Sequence, residues 1–135
     1  MKAKVFFDTT ILVYMVSEGD RRADISERLL ASGGKLSVQV MNEFAAVARR
    51  KLNMSWPEVS EALDAVRALC ETAAPLTVEI HDRALDIAER YGYHIYDALI
   101  LAAALDAGCD VLYTEDMHDG QKVGALTIRN PFVST

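Results

Sequence analysis

The chain has 135 residues, of which 51% are hydrophobic and 25% are charged, and this composition excludes a low-complexity or disordered protein. Its net charge of −6 argues against tight binding of nucleic acid through a broad basic face. A polyanionic substrate is not excluded, because several of the 20 acidic residues could belong to one metal site. With no apolar window of 18 residues and no signal-peptide pattern, we expect one cytoplasmic domain over residues 1–135, with no membrane contact.

The first predicted element is a short buried strand, Val5 to Phe7, within the segment VFFDTTILVY. An unbroken apolar run of this kind is typical of a parallel strand that is covered on both faces. Asp8 follows it directly, at the strand end where ligands bind in open α/β sheets. The ordinary alternative is that Asp8 forms an Asx turn or caps the next helix. A chemical role for Asp8 therefore depends on other carboxylates reaching the same place.

Residues 21–90 predict helices that alternate with short strand candidates. Ser55 precedes Trp56-Pro57-Glu58 as the N-cap of a capping box, and glycines stop the neighbouring helices. The predicted elements are helix 21–32, strand 35–38, helix 39–51, helix 56–71, a strand or connector 75–78 and helix 79–90. Cys70 and Cys109 have apolar neighbours and no metal-ligand spacing, which predicts buried free thiols.

Glu43 lies on the apolar face of helix 39–51. Val40, Glu43 and Val47 are spaced i, i+3 and i+7, so the carboxylate shares the side of the helix that faces the core. A carboxylate in that position must be paired, solvated in a cleft or bound to a metal. Extension of the side chain to bulk water is an alternative that the sequence leaves open.

Residues 96–105, YDALILAAAL, are apolar all round and predict a buried central helix. Its only charges are Asp97 at the start and Asp106 just past the end. A carboxylate in the first turn favours the helix dipole and can cap free N–H groups, which is the ordinary explanation of Asp97.

A strand at 110–114 is followed by three more acids. Side chains alternate along a strand, so if Thr114 faces the site, Asp116 faces it too and Glu115 points away. Asp119 before Gly120 predicts an Asx turn, from which its carboxylate could reach a metal through water. The last predicted strand is 126–128, and we expect the tail 130–135 to be unstructured.

Four acids thus stand at positions that a parallel sheet would bring together. Strands that alternate with helices imply an α/β fold with right-handed crossovers, and the carboxyl ends of the strands then share one edge. Clustered carboxylates repel unless they take up protons or bind a cation, and oxygen ligands without Cys or His select Mg²⁺ or Mn²⁺. Such a site suits phosphodiester hydrolysis. The four candidates are Asp8, Glu43, Asp97 and Asp116.

Three segments carry a resemblance that covers essentially the whole chain: FFDTTILVY, SVQVMNEF and YDALILAAALDAGCDVLYTEDMHDG. In order and spacing the sequence resembles the PIN-domain ribonucleases, specifically the VapC-type toxins of bacterial toxin–antitoxin pairs. The resemblance carries the family's catalytic, metal-binding acids onto the same four residues. Thr114 and Asp119, from their positions after the strand, and Thr10 are candidates for supporting roles. The family often has Asn or Ser where this chain has Thr10, whose hydroxyl can still orient a ligand or a water.

The resemblance implies a three-layer α/β/α domain of the PIN type with a short, mostly parallel central sheet. It also implies an endoribonuclease that depends on Mg²⁺ or Mn²⁺, an RNA substrate, a homodimer, and an antitoxin that covers the helical face and blocks the site. Two alternatives stay open, namely a housekeeping PIN-domain nuclease that processes RNA and a PIN-fold binding module without catalysis. The phosphatase, adhesion-module and receiver folds that also place an Asp after the first strand lack their other required residues here.

Overall fold

A computed structural model describes residues 2–70 and 73–133 of the chain. In this part, strands and helices follow one another in a mixed order that begins with a strand and ends with a hairpin. The elements are β1 (Val5–Phe7), α1 (Thr9–Met15), α2 (Arg21–Ala31), α3 (Val38–Arg50), α4 (Trp56–Leu69), α5 (Val78–Tyr91), α6 (Ile95–Asp106), β2 (Val111–Tyr113), β3 (Lys122–Val123) and β4 (Leu126–Arg129).

The four strands form one sheet in the order β1-β2-β4-β3. β1 and β2 are parallel, with Phe7 opposite Tyr113, and β2 and β4 are parallel as well. Only the short β3 runs antiparallel to its neighbour β4 among the described strands. The amide of Asp8 donates to the carbonyl of Tyr113 at 3.0 Å, so the carboxyl ends of β1 and β2 lie side by side. The predicted three-layer α/β/α domain with a mostly parallel sheet is confirmed.

The core is built around the sheet and α6. Phe6, Phe7 and Leu112 of the strands are fully buried, and every residue of α6 from Ala98 to Ala104 is buried. The helix predicted to be apolar all round is therefore central. α5 packs against α6, whereas α1 packs against α2 and α3. Both cysteines are buried, as predicted, and no disulfide joins them in the described part of the chain.

Helix ends follow the local capping signals closely. Ser55 forms the expected capping box at the start of α4, and Gly92 ends α5 with φ 77°, a left-handed conformation that favours glycine. α4 ends at Leu69 with Cys70 as its C-cap, and the predicted end at Glu71 lies outside the described residues.

The strand predicted at residues 35–38 was wrong, and of the two alternatives for residues 75–78 the connector is correct. Residues 35–38 make only isolated bridges, Phe6 to Lys35 and Ser37 to Ala74, and Val38 already belongs to α3. Residues 75–78 contain no strand, because the Thr77 hydroxyl accepts the amide of Ile80 at 3.1 Å and starts α5 one residue later. In both segments a hydroxyl N-cap stabilises a helix that outcompetes the weak strand preference of a short run.

The C-terminal part holds more structure than the sequence indicated. β3 was not predicted, and it turns into β4 through Gly124, whose φ is 59°. The expectation of an unstructured tail was wrong at Phe132, which is buried and packs edge-on against Tyr14 with ring centroids 5.1 Å apart. Ser134 and Thr135 lie outside the described residues. None of the helices in the described part of the chain has the length and apolar character needed to cross a bilayer.

Candidate active site

Asp8 lies at the junction of β1 and α1 and has two fixed hydrogen bonds. Its Oδ1 accepts the amide of Thr9 at 2.6 Å, which makes it the N-cap of α1. Its Oδ2 accepts the hydroxyl of Thr114 at 2.5 Å, across the adjacent ends of β1 and β2. Only 3% of its surface is exposed. The capping alternative is thus correct, and it leaves the second oxygen directed toward the sheet edge where a ligand site was predicted.

The electrostatics of Asp8 show which other acids lie near it. Burial raises the pKa of Asp8 from 3.8 to about 7, against the lowering effect of the hydrogen bonds from Thr114 and Thr9. The negative charges of Asp97 and Glu43 raise it further. Asp8 therefore holds a proton for part of the time at neutral pH, next to two other carboxylates.

Glu43 is half-buried on α3, facing the same region. Its Oε2 accepts the amide group of Gln39, one turn earlier, at 2.9 Å, and the hydroxyl of Thr9 lies 3.5 Å from Oε1. Burial raises the pKa of Glu43, the bond from Gln39 lowers it, and the charge of Asp97 raises it. The alternative in which Glu43 extends to bulk water does not fit these partners.

Asp97 and Asp116 extend the acidic group. Burial raises the pKa of Asp97 and the charge of Asp116 adds to the effect, whereas the nearby His94 opposes it. Burial also raises the pKa of Asp116, with a further contribution from Glu115 and an opposing one from Lys51. Asp97 lies in the first turn of α6. There its carboxylate can interact favourably with the helix dipole and also lie near the other acids.

The four carboxylates affect one another, but they are not drawn together around a point. Across residues 2–70 and 73–133, no three His, Cys, Asp or Glu side chains are arranged closely enough to hold a metal ion as they stand. Their donor atoms are all carboxylate oxygens, which suit a hard divalent cation such as Mg²⁺ or Mn²⁺. The residues fit such an ion in their chemistry, and its binding would relieve the mutual repulsion that raises their pKa values.

The supporting residues have specific contacts. Thr114 is fully buried, and its hydroxyl oxygen accepts the amide of Asp116 at 3.2 Å while donating to Asp8. The Thr10 hydroxyl accepts the amide of Glu115 at 3.2 Å. The predicted Asx turn at Asp119 was wrong, because this carboxylate instead accepts the amide of Asn130, eleven residues later, at 2.8 Å. Asp119 therefore ties the loop after β2 to the chain after β4.

Sequence reasoning missed several residues around the site. Gln39 and Glu43 have i, i+4 spacing, and His94 immediately precedes the central helix, so both carried a local signal. Lys51 lowers the pKa of Asp116 from the C-terminus of α3, where the helix dipole is the ordinary explanation of a cation. Contacts of Glu115 with Tyr14 and Arg22 had no local signal, since the partners are 101 and 93 residues away.

Comparison with known proteins agrees with this architecture. The PIN domain model matches residues 5–119. The fold is similar to that of the Mycobacterium tuberculosis toxin VapC20, described as cleaving the sarcin-ricin loop, with a TM-score of 0.66, 23% identity and coverage of 84% of this chain and 90% of that one. No curated protein sequence matches at a significant level.

Two structures of toxin–antitoxin systems are similar over nearly their full length. A toxin–antitoxin complex from Klebsiella pneumoniae has a TM-score of 0.70 at 19% identity, covering 96% of this chain and 98% of that one. VapBC2 from Rickettsia felis, bound to a DNA fragment from its promoter, has a TM-score of 0.67 at 19% identity and covers 93% and 97%. At such identities these likenesses establish the fold alone.

Proposed function

This chain belongs to the PIN domain family, and we propose that it is a ribonuclease dependent on Mg²⁺ or Mn²⁺ that acts as the toxin of a bacterial type II toxin–antitoxin pair. The observation that carries the proposal is the electrostatic coupling of acids from four separate segments at the carboxyl ends of β1 and β2. Burial and mutual repulsion destabilise these charges in the absence of a cation. Such a group of acids costs stability unless a cation binds, which supports a role for the group in metal binding.

Four acids would hold the ion: Asp8, Glu43, Asp97 and Asp116. A divalent cation bound there supplies Lewis-acid chemistry, since it lowers the pKa of a water and offsets the negative charge that builds up on the phosphate. The substrate is RNA, and the cleaved bond is a phosphodiester. We place the protein with this substrate in the cytoplasm.

The chain's own groups prepare the site for this work. Hydrogen bonds from Thr9 and Thr114 hold both oxygens of Asp8 in fixed directions. Gln39 holds Oε2 of Glu43 in the same way. Asp8 must give up its proton before it can act as an anionic ligand, so metal binding releases a proton and strengthens as the pH rises toward and beyond about 7.

Two basic residues, His94 and Lys51, flank the acids. His94 lowers the pKa of Glu43 and of Asp97, and Lys51 lowers that of Asp116. Each therefore lies close enough to a carboxylate to interact with a phosphate bound over the site. The positive charge of Lys51 would offset part of the repulsion expected between RNA and a chain of net charge −6.

The toxin role is supported by the structural relatives. One is described as a toxin that cleaves the sarcin-ricin loop, and two come from toxin–antitoxin systems. This chain covers at least 90% of each of these relatives, so it has the size of a toxin subunit. We therefore propose an antitoxin as its protein partner and a homodimer as its assembly.

The test is cleavage of RNA by the purified protein with Mg²⁺ or Mn²⁺, with excess EDTA, and with Asp97→Asn as the matched inactive variant. We expect cleavage that requires the metal and is lost in the variant, although the variant stays folded by circular dichroism. Mapping of RNA 5′ ends after induced expression would identify the cleaved bond. Cleavage that persists in EDTA, or in Asp97→Asn at saturating metal, would refute the proposed site.

A PIN-fold binding module is the second candidate. The observation that favours it is that no three potential ligands in the described part of the chain are already gathered around one point. A binding module would retain RNA in a filter-binding assay but would leave its length unchanged at any metal concentration. A housekeeping nuclease would cleave RNA and yet permit normal growth when expressed without an antitoxin.

A further inference from the structure

Glu115 stands at the centre of a network outside the four acids. Its Oε1 accepts the hydroxyl of Tyr14, and its Oε2 lies 3.0 Å from Nη1 of Arg22. The guanidinium of Arg22 also pairs with Asp20 at 2.9 Å and lies over the Tyr14 ring, 4.2 Å from its centroid. The amide of Glu115 donates to the Thr10 hydroxyl at 3.2 Å. We call Tyr14, Arg22 and Glu115 the Glu115 clamp.

Stabilisation of the fold is a weak explanation for the clamp. The Arg22 and Glu115 side chains are 36% and 27% exposed, and ion pairs of this exposure contribute little net stability. Yet the bonds of Glu115 are specific in direction, since both carboxylate oxygens and the amide each have their own partner. The clamp fixes the orientation of one residue relative to α1 and α2.

That residue lies between two members of the candidate site. Thr114 on one side donates to Asp8, and Asp116 on the other side donates its amide to Thr114. Thr114 still donates its amide to the carbonyl of Arg129 in β4 at 3.0 Å, but beyond it the amides of Glu115 and Asp116 bond to the hydroxyls of Thr10 and Thr114 and not to a strand. The direction in which the Asp116 carboxylate points therefore depends on how the backbone at Glu115 is held.

We propose that Glu115, held by Tyr14 and Arg22, is a positioning residue that aims Asp116 at the divalent cation. The inference rests on the proposed metal site, and it assigns Glu115 no contact with the ion or with RNA. Arg22 has a double part, because it anchors Glu115 and also neutralises a carboxylate next to Asp116. Tyr14 supplies the second anchor without adding charge.

A purely electrostatic role and a positioning role of Arg22 predict opposite effects of Arg22→Met on Mn²⁺ affinity. The substitution makes the chain more negative by one unit from −6, which by electrostatics alone attracts a cation more strongly. Loss of the anchor instead frees Glu115 and lets Asp116 turn away, which weakens binding. The sign of the change in Mn²⁺ affinity therefore separates a positioning role from a purely electrostatic one.

The experiment is calorimetric titration of the full-length protein with Mn²⁺, together with melting of the metal-free form. We expect Arg22→Met and Glu115→Ala each to weaken Mn²⁺ binding by about 10-fold, the scale seen when a residue that orients a metal ligand is removed. Tyr14→Phe, which keeps the ring and the net charge, should weaken binding by a smaller factor. The double variant Arg22→Met/Glu115→Ala should bind no more weakly than Glu115→Ala, because Arg22 acts through Glu115.

Arg90→Met is the matched control. Arg90 also lies over a tyrosine ring, that of Tyr91 at 5.7 Å, but belongs to the end of α5. We expect its Mn²⁺ affinity to equal that of the wild type. A clamp that is merely structural would lower the melting midpoint of the metal-free protein and leave the affinity of the folded form unchanged, and that result would overturn the proposal.

Other outcomes are equally decisive. Unchanged or tighter Mn²⁺ binding by Arg22→Met, or additive losses in the double variant, would refute the positioning role. The proposed metal site would instead be refuted if the wild type bound no Mn²⁺, or if Asp97→Asn bound Mn²⁺ with the same affinity as the wild type. Failure of the clamp and failure of the site are thus distinguished in the same set of titrations.

Discussion

Substitution of Asp8 by Asn should stabilise the metal-free protein at alkaline pH. Burial raises the pKa of Asp8 from 3.8 to about 7. Since a tenfold change in acid dissociation corresponds to about 1.4 kcal/mol, ionisation of Asp8 destabilises the fold by about 4 kcal/mol when it is complete. Asn removes that charge and keeps the shape. Rearrangement of the Thr114 hydrogen bond offsets about 1 kcal/mol, which leaves a net gain of about 3 kcal/mol.

The sign of the pH dependence follows from proton binding. Below pH 3.8 Asp8 is protonated in both the native and the unfolded state, so its contribution to stability is zero. Between that pH and about 7 the native state binds more protons than the unfolded state, and the free energy of unfolding falls as the pH rises. Above about 7 the loss is complete. The advantage of Asp8→Asn should therefore grow from pH 4 to pH 8 and then level off.

The assay is urea denaturation in EDTA at a series of pH values from 4.5 to 8.5, as the difference between Asp8→Asn and wild type. A gain of about 3 kcal/mol at pH 8 corresponds to roughly 10 °C in melting midpoint for a domain of this size. The exposed Asp82 of α5 provides the control, since Asp82→Asn should differ from wild type by the same small amount at every pH. A difference that is flat or shrinks with rising pH would refute the argument.

Three further outcomes can be checked on the same preparations. Mn²⁺ at about 100 times its dissociation constant should stabilise the wild type by about 2.7 kcal/mol in a thermal melt but leave Asp97→Asn nearly unchanged; equal shifts would contradict the metal site. Thr114→Val, which removes the hydroxyl that bonds Asp8, should lower Mn²⁺ affinity by at least 10-fold, whereas Thr114→Ser should retain the wild-type affinity. Equal Mn²⁺ affinities of Thr114→Val and the wild type would contradict this role of the hydroxyl. Asp119→Asn should keep both RNA cleavage and stability, because its amide oxygen can still accept the amide of Asn130. Asp119→Ala should lower the free energy of unfolding by about 1 kcal/mol. A large loss of cleavage in Asp119→Asn would place that carboxylate in the site.

The sequence predicted the elements whose signal is local. The apolar run of α6 can be buried in only one way, and the cap at Ser55 fixes the start of α4 by itself. The strand segment before Asp8 was equally clear, because nothing but the interior of a sheet accommodates its apolar residues. For these three elements the local sequence pattern and the tertiary packing favour the same secondary structure, so the prediction and the structure agree.

The errors arose where two local preferences compete over a few residues. Residues 35–38 have a strand-like composition, but the hydroxyl of Ser37 accepts the amide of Val40 and α3 begins at Val38. β3 has two residues, too few for an alternating pattern, and forms because β4 lies beside it. Phe132 is buried by a ring, that of Tyr14, from the other end of the chain. Such outcomes depend on tertiary neighbours that a local window does not contain.

The candidate site shows the same division. Each acid could be singled out from its own segment, whereas the Glu115 clamp joins side chains that are about a hundred residues apart. Ordinary roles and site roles also proved compatible for Asp8, which caps α1 with one oxygen and faces Thr114 with the other. A helix cap and a place in the candidate site are not mutually exclusive for a carboxylate, because its two oxygens can bond to different partners.

Hydrogen bonds hold the carboxylates of Asp8 and Glu43 in place within the candidate site. A buried carboxylate without partners would take up a proton and turn toward water, and its charge would be lost to the site. The Thr114 hydrogen bond opposes this for Asp8, since it lowers a pKa that burial raises, and the same hydroxyl accepts the amide of Asp116, so one buried hydroxyl connects two of the acids. Burial, together with the repulsion between the acids, keeps the pKa values of Asp8 and Asp97 high, so their ionisation destabilises the metal-free fold. Under the proposed function, a divalent cation that binds only the folded state would offset this repulsion and raise the free energy of unfolding.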